Sequence, residues 1–146
     1  MIATRLTLMG KCKEAMDMYC KLLKAELVDV SLFAEHKEQF PVELGDNRKD
    51  LIYSAKIKFT YGEQVSYIHM ADSPVLAFTD DVRKQGCRDN ITFDMELKSS
   101  CEVEEIYYAF MECGAKNNVS LQARDGYGMY CSFIDQFGVC WNLYCS

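Results

Sequence analysis

The chain has no run of apolar residues close to the roughly 20 that span a bilayer, and it does not begin with the charged and then apolar stretch of a signal peptide. No G-x-G-x-x-G motif follows a predicted strand, which argues against a Rossmann-type nucleotide site. Basic residues are outnumbered 16 to 22, and the net charge of -6 argues against a nucleic-acid partner. We therefore expect a cytoplasmic protein that binds neither nucleic acid nor membrane.

Zinc and disulfide frameworks are not indicated either, although the chain has eight cysteines. No two of them form a C-x-x-C pair, and neither histidine lies close to any two cysteines. Several fall in strand or helix patterns, where a free cysteine packs as a small apolar side chain. We predict reduced, structural cysteines, as in the cytosol.

What the chain does have is an internal repeat. Its 146 residues, 49% of them apolar, are typical of one globular domain. A shift of 89 positions aligns Leu8 with Leu97, Cys12 with Cys101, and Tyr19 with Tyr108. The same strand-then-helix pattern coincides with these identities, so we interpret the chain as a duplication. Module one covers about 1–79, a linker about 80–90, and module two about 91–146.

Each module is predicted to have the order β-α-β-β-β. In module one, apolar spacing indicates a strand, a helix and three further strands at 2–9, 11–24, 25–34, 51–61 and 64–71. Tyr61-Gly62-Glu63 predicts a hairpin turn, and the polar segment 35–50 predicts a long loop. In module two, Ser99 and Glu102 form a capping box before a helix that ends at Gly114. Its strands are expected at 91–98, about 119–123, about 129–134 and about 139–144.

Two segments carry a resemblance to a known family. The first is FIDQFGVCWNL, which has the residues Asp135, Phe137, Gly138, Val139, Trp141 and Leu143. The second is LTLMGKCKEAMDMY, which begins at Leu6. Both are similar to the PhnB-like branch of the vicinal-oxygen-chelate superfamily, which also holds glyoxalase I, bleomycin-resistance and fosfomycin-resistance proteins. The resemblance implies an α+β fold in which two β-α-β-β-β modules form half-barrels around a shared pocket, and it implies a homodimer.

The resemblance and the strand alternation together predict which residues face that pocket. Each half-barrel has its helix outside, so Leu6 and Leu8 cover the helix while Ala3, Arg5 and Thr7 face inward. The repeat places Thr92, Asp94 and Glu96 in the equivalent positions. On the last strand, Trp141 is expected in the core and Asn142 on the pocket side. The predicted ligand-binding residues are Arg5, Ser54, His69, Thr92, Asp94 and Asn142.

Metal-dependent members of the superfamily hold a divalent ion with His or Glu from four strands. The resemblance places those four positions at Ala3, His69, Thr92 and Asn142, of which only His69 is a strong ligand. We therefore predict no metal and no other cofactor. Ser54 stands where the PhnB-like branch often has a histidine. Asp72 is expected to cap a turn rather than to take part in chemistry.

Three functions remain open from the sequence. The first is metal-free binding or sequestration of a small molecule, with Arg5 for an anionic group or Asp94 and Glu96 for a cationic one. The second is a divalent-metal-dependent lyase, isomerase or transferase of the glyoxalase or fosfomycin-resistance type. The third is a dimeric assembly protein whose pocket is vestigial. The first is the leading hypothesis.

Overall fold

The structure, a computed structural model, describes residues 4–39, 48–73, 92–124 and 126–146. The chain forms two compact units, Met1–Lys84 and Gln85–Ser146. Within the described ranges, no helix is long and apolar enough to cross a membrane. The predicted linker at 80–90, residues 40–47 of the predicted loop, Ala3 and Ile91 lie outside the described residues.

The first unit contains a four-stranded sheet and one α-helix. Its elements are β1 (Arg5–Leu8), α1 (Cys12–Leu22), β2 (Glu26–Leu32), a 3₁₀ helix (Phe33–Gln39), β3 (Ile52–Tyr61) and β4 (Gln64–Asp72). The strand order is β1-β4-β3-β2, with β1 parallel to β4 and the other pairs antiparallel. The hairpin is confirmed, because Tyr61 pairs with Gln64 and Gly62 adopts a φ of 59°, which glycine tolerates without strain.

The second unit repeats this arrangement. Its elements are β5 (Thr92–Glu96), α2 (Ser100–Glu112), β6 (Lys116–Arg124), β7 (Tyr127–Ile134) and β8 (Cys140–Cys145). The order is β5-β8-β7-β6, with β5 parallel to β8. Each sheet thus has its first strand beside its last, and the predicted α+β fold of two β-α-β-β-β modules is confirmed.

The 3₁₀ helix and strand β6 have different bounds from those predicted from the sequence. The predicted loop at 35–50 begins inside the 3₁₀ helix, where the Glu35 carboxylate accepts a hydrogen bond of 2.6 Å from the backbone N–H of Leu32. The strand predicted at 119–123 is longer and covers Lys116–Arg124. Its pairing with β7 continues through register shifts, and these interrupt the simple alternation from which a strand is recognised.

The predicted capping box of α2 is present. The backbone N–H of Glu102 donates to the Ser99 hydroxyl at 3.3 Å, and the Glu102 carboxylate accepts from the backbone N–H of Lys98 at 2.9 Å. Gly114 follows the helix with a φ of 93°, the left-handed conformation that commonly ends a helix. Local sequence alone therefore defines both ends of this helix.

Helix α1 begins differently, because Lys11 at its N-cap makes no capping hydrogen bond through its side chain. Asp72, at the end of β4, supplies the carboxylate instead. Its Oδ1 accepts from the backbone N–H of Cys12 at 3.0 Å, and its Oδ2 accepts from that of Ile52 at 2.9 Å. This buried carboxylate joins the start of α1 to the start of β3, so it caps a distant helix and not the turn that was predicted.

The core of the second unit lies between α2 and one face of the sheet. Trp141 and Leu143 of β8 are buried there, and the Trp141 ring centroid is 6.2 Å from that of Phe110 on α2. Phe93 of β5 packs on the Trp141 ring at 5.1 Å. The predicted core position of Trp141 is confirmed.

Candidate functional site

The face of the second sheet that points away from α2 is polar. Along β5, Thr92, Asp94 and Glu96 are exposed, while the intervening Phe93 and Met95 are half-buried. The strand register places Asp94 of β5 beside Asn142 of β8. Residues paired in a ladder point to the same side of the sheet, so the predicted pocket-facing residues of β5 and β8 share one face.

A cavity of about 370 Å³ lies on this face. Its walls are formed by Asp94, Arg124, Tyr130, Asn142 and Tyr144. Two of these, Asp94 and Asn142, are predicted site residues, and the structure brings them into direct contact. Thr92 pairs with Cys140, two pairs along the ladder from Asp94 and Asn142, and does not line the cavity.

A chain of hydrogen bonds crosses three neighbouring strands at the cavity wall. The Asn142 side-chain amide donates from Nδ2 to Oδ1 of Asp94 at 2.7 Å, and Oδ1 of Asn142 accepts from the Tyr130 hydroxyl at 3.3 Å. The Asp94 carboxylate can only accept, so it fixes which end of the Asn142 amide faces it. The amide oxygen must then face Tyr130, and the direction of the whole chain follows.

Arg124 lies at the far end of this chain. Its guanidinium carbon is 4.6 Å from the centroid of the Tyr130 ring, a stacking distance at which the ring face attracts a cation. The cavity thus has a carboxylate on one wall and a guanidinium on another, and Tyr130 lies between them.

Sequence reasoning missed Arg124, Tyr130 and Tyr144 as candidate ligand contacts. For Tyr130 a signal was present. Cys131 and Phe133 are apolar and buried, so alternation along β7 places Tyr130 on the opposite, polar face. Arg124 had no comparable signal, because β6 pairs with β7 through register shifts.

The first unit places Arg5, His69 and Ser54 on the corresponding face of its own sheet. Arg5 of β1 and Lys56 of β3 both pair with His69 of β4, so three basic side chains form a row across the sheet. Ser54 is two residues from Lys56 and therefore points to the same side. Lys56 Nζ lies 4.4 Å from the centroid of the Tyr67 ring.

These residues do not fit a divalent metal ion. Within the described ranges, no group of three or more His, Cys, Asp and Glu side chains is close enough to hold one. Arg5 is the partner of His69 in the ladder, and its permanent positive charge would oppose a cation bound there. Asn142 and Thr92 offer only neutral oxygens, which hold a transition metal weakly.

Three of the described cysteines, Cys12, Cys101 and Cys131, are poorly suited to nucleophilic chemistry. Burial raises the pKa of the Cys12 thiol to about 12 and that of Cys131 to about 11. At the exposed Cys101, the negative charge of Glu105 raises the pKa of the thiol. The thiolate is the reactive form of cysteine, so these three thiols are expected to be protonated and inert at neutral pH.

No protein-family model matches the chain, and no curated protein matches its sequence. Solved structures do match. Protein PA1353 from Pseudomonas aeruginosa is 23% identical, with a TM-score of 0.74 over 99% of this chain and 96% of that chain. A PhnB protein from Bacillus cereus is 18% identical, with a TM-score of 0.70 over 99% of this chain and 98% of that one. The fosfomycin-resistance protein FosX from Listeria monocytogenes is 15% identical, with a TM-score of 0.58 over 99% and 91%.

At these identities the similarity establishes the fold. PhnB and fosfomycin-resistance proteins are among the proteins to which the two sequence segments pointed, and both appear among the structural matches. A variant of the Listeria protein was solved with Mn(II) and a dihydroxypropylphosphonic acid. The chain therefore shares its fold of two β-α-β-β-β modules with these solved structures.

Proposed function

We propose that this protein binds a small molecule in the cavity of its second unit, without a metal ion or other cofactor. The hydrogen-bonded chain from Asp94 through Asn142 to Tyr130 is the observation that carries the proposal. It holds three polar side chains from three strands in fixed orientations before any ligand arrives. Such preorganisation reduces the entropic cost of binding. The cavity volume of about 370 Å³ falls within the ordinary range for small-molecule sites.

The poor fit of the described residues to a metal favours binding over metal-dependent catalysis. A lyase or isomerase of that type needs a cation to polarise substrate oxygens, and Arg5 beside His69 opposes one. We extend the proposal to Arg5, Ser54 and His69 as ligand contacts of the first unit, and to Thr92 at the edge of the cavity face. A cytoplasmic location is proposed with it, because the seven cysteines that the structure describes are all free.

The proposal is tested by a fragment screen observed through backbone amide resonances in heteronuclear NMR. Fragments that bind are expected to shift amides of β5, β7 and β8 around the cavity. Shifts confined to other surfaces, or no shifts with any fragment, would count against the cavity as a binding site.

Added Mn²⁺, Ni²⁺, Zn²⁺ or Mg²⁺ is expected to leave the melting temperature of the protein unchanged. A rise of several degrees with one ion would favour the metal-dependent enzyme instead.

Asn142→Ala is expected to weaken binding of such a fragment by about tenfold or more, because it breaks the chain between Asp94 and Tyr130. The cost in folding stability should stay below about 1 kcal/mol, since Asn142 is only half-buried and both bonds lie on the cavity side. Titrations and urea melts of the variant measure the two effects. Asn118→Ala is the matched control, because Asn118 is exposed and does not line the cavity. A large loss of stability in Asn142→Ala would contradict the assignment of this face.

We also propose a homodimer, supported by the exposed apolar residues of β2. This strand is at the edge of the first sheet, and Leu27, Val28 and Val30 are 46%, 49% and 41% exposed. Open edges with apolar side chains are the usual places where a second chain adds. The edge strand of the second sheet, β6, has a mostly polar exposed surface by contrast.

Light scattering in solution tests the dimer. The wild type is expected at about twice the chain mass of 16.8 kDa, and the double variant Val28→Lys with Val30→Lys is expected at the monomer mass. Gln122→Lys, an exposed position on β6, is the control and should remain dimeric. A monomeric wild type would contradict the proposed homodimer. A double variant that is still dimeric would show that β2 is not the interface.

A further inference from the structure

The cavity of the second unit has two walls of opposite charge, and each has hydrogen-bonding capacity that no described residue uses. On one wall, Asp94 receives its hydrogen bond on Oδ1, and its other carboxylate oxygen accepts none from a described residue. On the other wall, Arg124 forms no ion pair with a described residue and only stacks on Tyr130. A carboxylate can only accept hydrogen bonds, and a guanidinium can only donate them. The two walls therefore require opposite groups on a ligand.

The chain of contacts limits the distance between these walls. Contacts of 2.7 Å and 3.3 Å, joined by the one amide group of Asn142, place Asp94 Oδ1 within about 8 Å of the Tyr130 hydroxyl. The Arg124 guanidinium lies over the ring of that same tyrosine. The carboxylate and the guanidinium therefore line the same small cavity, where one small ligand can contact both.

We infer that the ligand of this cavity is a small zwitterion, with an ammonium group that binds Asp94 and an oxyanion, such as a carboxylate, that binds Arg124. The inference rests on the proposed binding function and adds the chemical class of the ligand. Because Arg124 forms no ion pair with a described residue, its guanidinium N–H groups can donate to a planar oxyanion of the ligand. The second carboxylate oxygen of Asp94 can accept a hydrogen bond from the ammonium group.

Three probes of similar length test the inference: 4-aminobutyrate, butylamine and butyrate. Each is titrated into the intact protein while the backbone amides around the cavity are followed by NMR. We expect 4-aminobutyrate to bind at least about tenfold more tightly than either single-charge probe, because only it satisfies both walls. If one single-charge probe binds as tightly as 4-aminobutyrate, the inference is wrong. The ligand of the cavity would then be purely cationic or purely anionic.

Two variants assign the charges to the walls. In Asp94→Asn, 4-aminobutyrate is expected to bind no more tightly than butyrate. In Arg124→Met, it is expected to bind no more tightly than butylamine. The charge-matched controls are Glu112→Gln, at the exposed end of α2, and Lys116→Met, at the exposed start of β6, and both should bind like the wild type. An unchanged preference in either cavity variant would overturn the assignment of that wall.

The two proposals fail in different ways. If none of the three probes shifts the cavity amides while neutral fragments from the screen do, the zwitterion inference is wrong and the binding function stands. If neither the probes nor any fragment shifts those amides, both proposals are wrong.

Discussion

Replacing Trp141 with alanine is expected to lower the free energy of unfolding by about 3–5 kcal/mol, as for other large rings removed from a core. The ring is 1% exposed and packs on Phe93 and Phe110. Its Nε1 also donates to Oδ2 of the buried Asp135 at 3.0 Å, so the substitution leaves a cavity and removes a donor from a carboxylate. Urea denaturation followed by circular dichroism measures the loss. A cost below about 1 kcal/mol would show that the ring is not part of the core.

Two milder variants separate packing from hydrogen bonding at this site. Trp141→Phe keeps an aromatic ring and removes the N–H, so its expected cost is about 1–3 kcal/mol. Combined with Asp135→Asn in a double-mutant cycle, it should show a coupling energy of about 1–3 kcal/mol, because the lost bond joins a donor to a charged acceptor. The control cycle pairs Trp141→Phe with Ser99→Ala, whose hydroxyl accepts from the backbone N–H of Glu102 at the start of α2. That pair should be additive within about 0.5 kcal/mol.

The contacts of Asp135 give the physical reason for part of the C-terminal motif FIDQFGVCWNL. Its Oδ1 accepts hydrogen bonds from the backbone N–H groups of Phe137 and Val139, at 2.8 Å and 3.0 Å, and its Oδ2 accepts from Trp141. Gly138 adopts a φ of 80° in the turn between them. One carboxylate therefore fixes a tight turn and the tryptophan that follows it. The motif is visible in the sequence. The reason for its residues is visible only in the structure, where Asp135 accepts these three hydrogen bonds across the turn.

The fold and two of the five cavity residues, Asp94 and Asn142, were predictable because they depend on local properties. Alternation along one strand assigns faces, which placed Asp94 and Asn142 on one side and Trp141 on the other. Register between strands depends on bulges and on distant pairing, which a single segment does not encode. Arg124 and Tyr130 meet only because β6 pairs with β7 through register shifts, so their contact had to come from the structure.

Replacing Asp72 with alanine is expected to destabilise the first unit by about 3–5 kcal/mol. The side chain is 2% exposed, and its two oxygens accept hydrogen bonds from the backbone N–H groups of Cys12 and Ile52. Each buried donor that is left without an acceptor costs about 1–3 kcal/mol, and α1 also loses the negative charge at its N-terminus. Urea denaturation measures the loss. The matched control is Asp17→Ala, an exposed carboxylate on α1 whose ion pair with Lys13 should contribute less than about 0.5 kcal/mol.

A compensating substitution tests whether capping is the cause. Lys11 occupies the N-cap position of α1 and makes no capping hydrogen bond through its side chain, so Lys11→Ser introduces a hydroxyl acceptor next to the backbone N–H groups of the first turn. In the Asp72→Ala background this change should recover about 0.5–2 kcal/mol, and in the wild type it should recover less, because Asp72 already accepts from the first turn. Equal effects in both backgrounds would mean that Asp72 acts through β3 alone.

The pH dependence of stability distinguishes the charge of Asp72 from its hydrogen bonds. Burial raises the pKa of this carboxyl above its ordinary value, and the backbone N–H groups of Ile52, Cys12 and Gly10 lower it by less. From the unfolded value of about 3.9 up to that raised pKa, the folded chain retains a proton that the unfolded chain releases. The contribution of Asp72 to stability is therefore complete at lower pH and declines as the pH rises through this window. The stability of the wild type relative to Asp72→Asn should decline in the same way, and a relative stability that rises with pH would show that the three donors outweigh burial.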